Sequence, residues 1–226
     1  MVTNHEMQIE FVEPTAPAPP NGHAHAADLE ACIDLINSTE FPQDDGVPEE
    51  HLPTVDDAIG FFTSRGLGHE ATIRAQAESG PGGEAAWLAR IYATRTALRD
   101  VWDARVEGRA PSADALATVN ALLRHAPHRE LVPGPGGVGV GHRHSAGDPT
   151  GEALARIIEP LVEAIATDAT GRFRICANDG CRWVFEDTSR AGRRRWCDMS
   201  SCGNRAKVRR YRSKQRTPDD EGPAAS

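Results

Sequence analysis

Apolar positions recur at helical spacing through most of the first three quarters of the chain. Over residues 26–38, Leu29, Cys32, Ile33 and Ile36 fall at i, i+3, i+4 and i+7, one face of an amphipathic helix. Thr54 with Asp57 three residues on reads as a second helix start, with Val55, Ala58, Ile59 and Phe62 as its buried stripe and Gly66 as its C-cap. A Gly-rich loop around residues 80–83 precedes the longest helix, in which Trp87, Ile91, Leu98, Val101 and Trp102 share a face and Gly108 ends the run. Ser112 caps the next helix, with Leu116, Val119 and Leu123 facing inward. Residues 130–148 lose the period and read as a loose β-hairpin or loop. Asp148-Pro149 opens a last helix whose stripe of Leu154, Ile157, Ile158, Leu161 and Ile165 runs towards an end near Gly171. The pattern predicts about five helices over residues 26–170.

Both ends lack such a pattern. Residues 1–22 are Pro-rich and read as a flexible arm, to which Ile9 and Phe11 add a short strand at most; residues 217–226 read as a disordered tail. No stretch approaches the ~20 apolar residues of a membrane span. The first thirty residues are acidic and Pro-rich, unlike an export signal, so the expected setting is cytoplasmic, where thiols stay reduced.

Charge changes the picture more than composition does. The net charge of −8 divides into +10 for residues 170–216 and −18 for the rest. One end is therefore suited to a polyanion and the other is not.

Four of the five cysteines lie in that basic segment, as Cys176, Cys181, Cys197 and Cys202, with spacing C-x4-C-x15-C-x4-C. Two short pairs separated by a hairpin-sized insert suit one structural Zn2+, because four thiolates close the tetrahedron and leave no site for water. Disulfides are the alternative, and they suit exported chains. Phe173, Ile175, Trp183, Val184 and Phe185 flank the first pair and would pack a miniature core, too small to fold without the metal. Cys32, on an apolar helix face with no cation beside it, reads as a small core residue.

Beyond the last cysteine, residues 203–216 read as a helix carrying seven cations and no acid. Its period makes a seam of Asn204, Val208, Tyr211 and Gln215, with Val208 and Tyr211 expected to dock on the zinc core. Arg205, Arg209, Arg212 and Arg216 form one basic stripe, and Lys207, Arg210 and Lys214 another. Solvated helix faces ordinarily mix signs, so this imbalance points to nucleic acid. Arg193, Arg194 and Arg195 add a second cluster just before Cys197. With Asn204, these residues form the expected nucleic-acid surface.

The run CANDGCRWVFEDTSRAGRRRWCDMSSCGNRAKVRRYR resembles the CGNR zinc finger through Cys202-Gly203-Asn204-Arg205, Asp187-Thr188-Ser189 and Arg194-Arg195-Trp196-Cys197. Upstream, Cys32-Ile33-Asp34-Leu35-Ile36-Asn37-Ser38-Thr39 resembles the opening helix of the ABATE domain. The resemblance implies a bacterial, stress-linked transcription regulator with zinc on the four cysteines. The expected architecture is mainly α: a flexible arm (1–22), a helical ABATE-like domain with a small β-hairpin (23–170), a finger of short β-hairpin and basic helix (171–216), and the tail (217–226).

Other motifs carry less. Gly134-x-Gly136-x-x-Gly139 has the letters of a dinucleotide loop, but Pro133 and Pro135 interrupt the approach and no helix start follows. His23-x-His25 and His142-x-His144 lack a third ligand at a fixed spacing, and nothing in the chain points to an enzyme. The expected partner is duplex DNA, with a small-molecule or protein effector for the helical domain. Rival readings are RNA, an acidic protein docked on the basic helix, and a small-molecule binder or enzyme built on the helical domain. Oligomeric state is open.

Overall fold

The computed structural model describes residues 29–40, 48–134, 137–143 and 147–215. The arm, the His23 pair, His144, Arg216 and the tail lie outside the described residues.

The order is α1 (Glu30–Ile36), β1 (Thr39–Glu40), β2 (Glu49–Glu50), α2 (Val55–Thr63), α3 (Glu70–Ser79), α4 (Gly83–Glu107) and α5 (Ala113–Leu123), then β3 (His128–Val132), β4 (Gly139–Arg143) and α6 (Pro149–Ala166). The basic segment follows as β5 (Phe173–Ile175), β6 (Val184–Glu186), a π-helical turn over Met199–Gly203, and α7 (Asn204–Gln215). Each strand pair is an antiparallel ladder of its own. The protein is mainly α, with small hairpins and a C-terminal cysteine cluster.

Local chemistry sets the helix starts. Thr54 and Asp57 form a reciprocal capping box. Ser112 Oγ accepts from the Ala115 amide at 3.2 Å, and the Asp148 carboxylate accepts from the Gly151 amide at 2.8 Å. At the other end of α4, Gly108 takes φ +70°, the left-handed cap that a Cβ would strain.

The long helix α4 is the axis, touching α1, α2, α3, α5 and β5. Its Trp87, Ile91, Leu98 and Trp102 meet α6 residues Leu154, Ile157 and Ile158 and the α1 face of Leu29, Cys32, Leu35 and Ile36 in one core. Burial pushes the Cys32 thiol up to about 12, which leaves it an inert core side chain.

Two polar clusters pin the helices where apolar contact runs out. Arg95, 9% exposed, donates twice to Glu50 (2.8 and 2.7 Å) and once to Ser38 Oγ (3.0 Å), tying β2 to α4. Arg90 donates twice to Asp148 (2.8 and 2.7 Å), Gln76 adds a third bond to that carboxylate (2.7 Å), and Trp87 Nε1 donates to Thr150 Oγ1 (2.8 Å). This second cluster joins α3, α4 and α6.

The periodicity misjudged three details. It missed α3, because only Ile73 and Ala77 of that helix are buried and its other inward contact is the polar Gln76. In α5 the buried residues are Ala115, Val119 and Leu122, so Leu116 stands 44% exposed. Helix α6 stops at Ala166, and Ile165 is 40% exposed beyond the edge of the core. Gly66 does close α2: at φ +64° its amide donates to the Thr63 carbonyl (3.0 Å) while the Leu67 amide donates to the Phe62 carbonyl (3.0 Å), a Schellman cap. Strands β3 and β4 do form an antiparallel ladder, in which Gly139 pairs with Val132, and the Gly134 carbonyl accepts from the Gly137 amide at 2.9 Å; Gly136 lies outside the described residues.

The largest departure concerns the expected miniature core. Phe173 and Val184, 2% and 1% exposed, belong to the helical core, and Ile175 packs against it. The Phe173 ring stacks on Trp102, whose Nε1 donates to the Arg174 carbonyl at 3.1 Å. The Asn37 side chain both donates to the Val184 carbonyl and accepts from its amide, each at 2.9 Å. The β5–β6 hairpin is thereby a further layer of the helical body.

Candidate metal centre and basic helix

The hairpin supplies the first cysteine pair. Ile175 pairs with Val184 at its end, and the Cys176 amide donates to the Trp183 carbonyl at 2.8 Å. The chain then turns at Asn178-Asp179-Gly180, where the Asn178 carbonyl accepts from the amides of Cys181 (2.8 Å) and Arg182 (3.0 Å). Arg182 takes φ +51° to complete the turn.

The second pair depends on the insert between Asp187 and Trp196. Asp187, 1% exposed, gathers that loop by accepting from the Ser189 amide (3.0 Å), the Ser189 hydroxyl (2.5 Å) and the Arg194 amide (2.8 Å). The Ala177 amide donates to the Arg195 carbonyl at 2.8 Å, which fastens the insert to the first turn. Asp198 then caps the π-helical turn, accepting from Ser200 and Ser201 amides, and the turn delivers Cys202.

All four sulfurs lie within 4.8 Å of one another, with Cys181–Cys197 at 3.6 Å and Cys197–Cys202 at 3.8 Å. A tetrahedron of ~2.3 Å zinc–sulfur bonds has edges of about 3.8 Å, so the cluster has the size for one Zn2+. No disulfide joins them, and the Cys181–Cys197 and Cys197–Cys202 separations are well beyond the ~2.05 Å of a disulfide bond. The hydrogen bond from Cys197 lowers the Cys181 thiol, and Cys197 rises in return as it holds the shared proton and is partly buried. All four sulfurs ionise together only around a cation. Phe185 packs with the cysteines, and Trp183 and Trp196 lie against them.

The structure divides the expected nucleic-acid residues. Arg194 turns inward: its Nε donates to the Trp196 carbonyl at 2.9 Å, its NH2 donates to the Cys197 carbonyl, and its guanidinium lies 5.0 Å from the Phe185 ring. Arg209 donates to Asn178 Oδ1 at 2.7 Å. Asn204 donates to the Ser200 carbonyl at 2.8 Å, holding the first turn of α7. Arg193, Arg195, Arg205, Lys207, Arg210 and Arg212 are exposed. Lys214 lies on the last turn of α7, and Arg216 falls outside the described residues.

The expected docking seam does not form. Val208 is 47% and Tyr211 63% exposed, because the apolar side chains that would have received them are packed on the helical body or around the sulfurs. Helix α7 is held instead by its first turn and by Arg209.

One residue escaped the sequence reading. Asn178, 2% exposed, donates to Cys202 Sγ at 3.5 Å while its oxygen accepts from Arg209. An Asn-Asp-Gly turn between paired cysteines was its only signal, and a turn residue does not by itself reveal a second bonding partner.

Fold and site together define a four-cysteine zinc-finger protein built on a helical N-terminal body. Residues 29–170 match the ABATE family model, described as "Putative stress-induced transcription regulator", and residues 172–215 match the CGNR zinc finger. The chain belongs to the ABATE family and carries a CGNR finger at its C-terminal side. No curated protein matches it. Both matched families are of regulatory and zinc-finger type, not enzymatic. Among the described residues no helix is long and apolar enough to cross a membrane.

Proposed function

We propose that the protein is a zinc-dependent, DNA-binding transcription regulator of the bacterial cytoplasm. Its finger grips duplex DNA, and its helical body answers to a ligand or protein partner. The observation that carries this reading is α7: a helix that begins two residues after a metal ligand, presents exposed cations along its length and contains no acid. Such a surface attracts a polyanion and releases its counterions on binding. Arg193 and Arg195 extend the basic surface beside the metal, whereas Arg194 and Arg209 act as braces. Duplex DNA is favoured over single-stranded RNA because Phe185 is buried, and Trp183 and Trp196 are partly buried against the sulfur cluster, which leaves little free aromatic face for stacking bases.

The test is a salt titration of duplex binding by the full-length protein, zinc-loaded and after chelation. The full chain is required because Phe173 and Val184 take their packing from the helical body. The expected result is zinc-dependent binding with a log–log salt slope of about −4 or steeper. Negligible affinity near ~50 mM salt, with zinc bound and the chain folded, overturns the reading in favour of an acidic protein partner.

A further inference from the structure

Between the Asn178–Gly180 turn and helix α7 lies an open cleft of about 730 Å³. Arg205, Arg209 and Arg212 line one wall of it, at i, i+4 and i+7 of the same helix, and Ser201 lies at its edge. No carboxylate is among its lining residues. Glu40 and Asp198 border a second cleft that shares Ser201 and Arg205 with the first, and the exposed Asp179 lies between Asn178 and Gly180 on the facing turn. One side of α7 thus faces a polar space walled by guanidinium groups.

We propose that this cleft seats the sugar–phosphate backbone of one DNA strand, with Arg205 and Arg212 as the side chains that hold its phosphates. The inference rests on the DNA-binding reading and assigns the strand-holding face within it. A guanidinium fork matches two phosphate oxygens at once, and two forks spaced i, i+7 along one wall suit successive phosphodiesters better than a single small ion. The first turn of α7 also lines the cleft through Asn204 and Arg205.

Arg209 has a different part. Its bond to Asn178 fixes the wall of the cleft, and Asn178 is bonded in turn to the sulfur of Cys202. The width of the seat thus follows from the metal geometry, which connects zinc loading to strand binding. With the strand held on this side, Lys207 and Arg210 stand on the other side of α7, turned away from the backbone seat. Phosphate contacts fix position and carry no sequence information, so the two sides differ in what their loss does.

The experiment is fluorescence anisotropy of the full-length, zinc-loaded protein with two labelled duplexes of unrelated sequence, each titrated with salt. Arg205→Ala and Arg212→Ala are each expected to weaken both duplexes by the same factor and to reduce the steepness of the log–log slope by about 0.9. Ser201→Glu, which places a carboxylate at the cleft edge without removing a cation, is expected to weaken both duplexes equally. Co2+ absorption spectra and helical circular dichroism should match wild type in all three, showing an intact centre. If wild type binds steeply and the Arg205→Ala/Arg212→Ala double variant and Ser201→Glu both keep its slope and affinity, the seat is elsewhere and only this proposal falls. If wild type shows no salt-dependent binding to either duplex, the DNA reading falls and takes the seat with it.

Discussion

The ring of Trp102, in the C-terminal part of the longest helix, lies parallel to that of Phe173, three residues before Cys176, with centroids 3.9 Å apart and planes 7° apart. Both side chains are fully buried. The contact makes the finger hairpin part of the helical body's core, and Asn37 closes the same junction by its paired bonds to Val184. A change in the helical body has a direct physical route to the metal centre, because β5 leads straight into Cys176.

Phe173→Ala is expected to destabilise the whole chain by about 3–5 kcal/mol, the range for deleting a buried aromatic. Urea unfolding followed by helical circular dichroism measures this. Zinc chelation should lower the same midpoint, although most of the signal comes from helices outside the finger. A helical transition that ignores both changes would mean that the two parts fold independently.

Asn178→Ala leaves Arg209 and Cys202 without their shared partner. The expected cost is about 1–3 kcal/mol in the stability of the zinc-loaded protein, together with a shifted thiolate-to-Co2+ charge-transfer band. Asn178→Asp separates the two bonds. It keeps an acceptor for Arg209 but removes the N–H donor to sulfur, so its Co2+ spectrum should shift as much as that of the alanine variant. A spectrum unmoved in both variants would show that Asn178 does not act on the centre.

Arg194→Ala and Arg193→Ala test the division between braces and exposed cations. The first removes two bonds to carbonyls beside Cys197 and the cover over Phe185, and should weaken zinc retention in a competition with a chromogenic chelator. The second, at an exposed position, should leave zinc retention unchanged and reduce only salt-dependent DNA binding. Equal zinc retention in the two variants would contradict the inward role of Arg194.

Asp148 predicts a pH dependence. Burial alone would raise its carboxyl, but hydrogen bonds from Arg90, Gln76 and the Gly151 amide outweigh that and hold it well below the usual carboxylate range. A depressed folded-state pKa contributes stability that is complete above the unfolded value of about 3.9 and drains away as pH falls below it. The unfolding free energy of wild type should therefore drop more steeply between about pH 4 and pH 2 than that of Asp148→Asn. Parallel curves would remove the linkage.

Much of this protein was legible in its residues alone, and the reason is distance along the chain. Capping at Thr54, Ser112 and Asp148 involves partners three residues away, and the paired spacing of the cysteines is likewise a local property. The stripe in α6 reads clearly because its helix buries one broad apolar face. Helix α3 was illegible because its docking relies on Gln76, whose partners Asp148 and Thr150 lie more than seventy residues away.

The sequence by itself determined that four thiols would gather and that a cation-rich helix would follow them. Tertiary structure decided what surrounds those thiols. Phe173 and Val184 were equally able to cover the sulfurs or to enter the larger core, and the larger core buries them more completely. With them packed elsewhere, Val208 and Tyr211 stay largely exposed, and Arg209 ties α7 to Asn178. Periodicity states which side chains share a face of a helix; only the packed fold decides whether anything lies against that face.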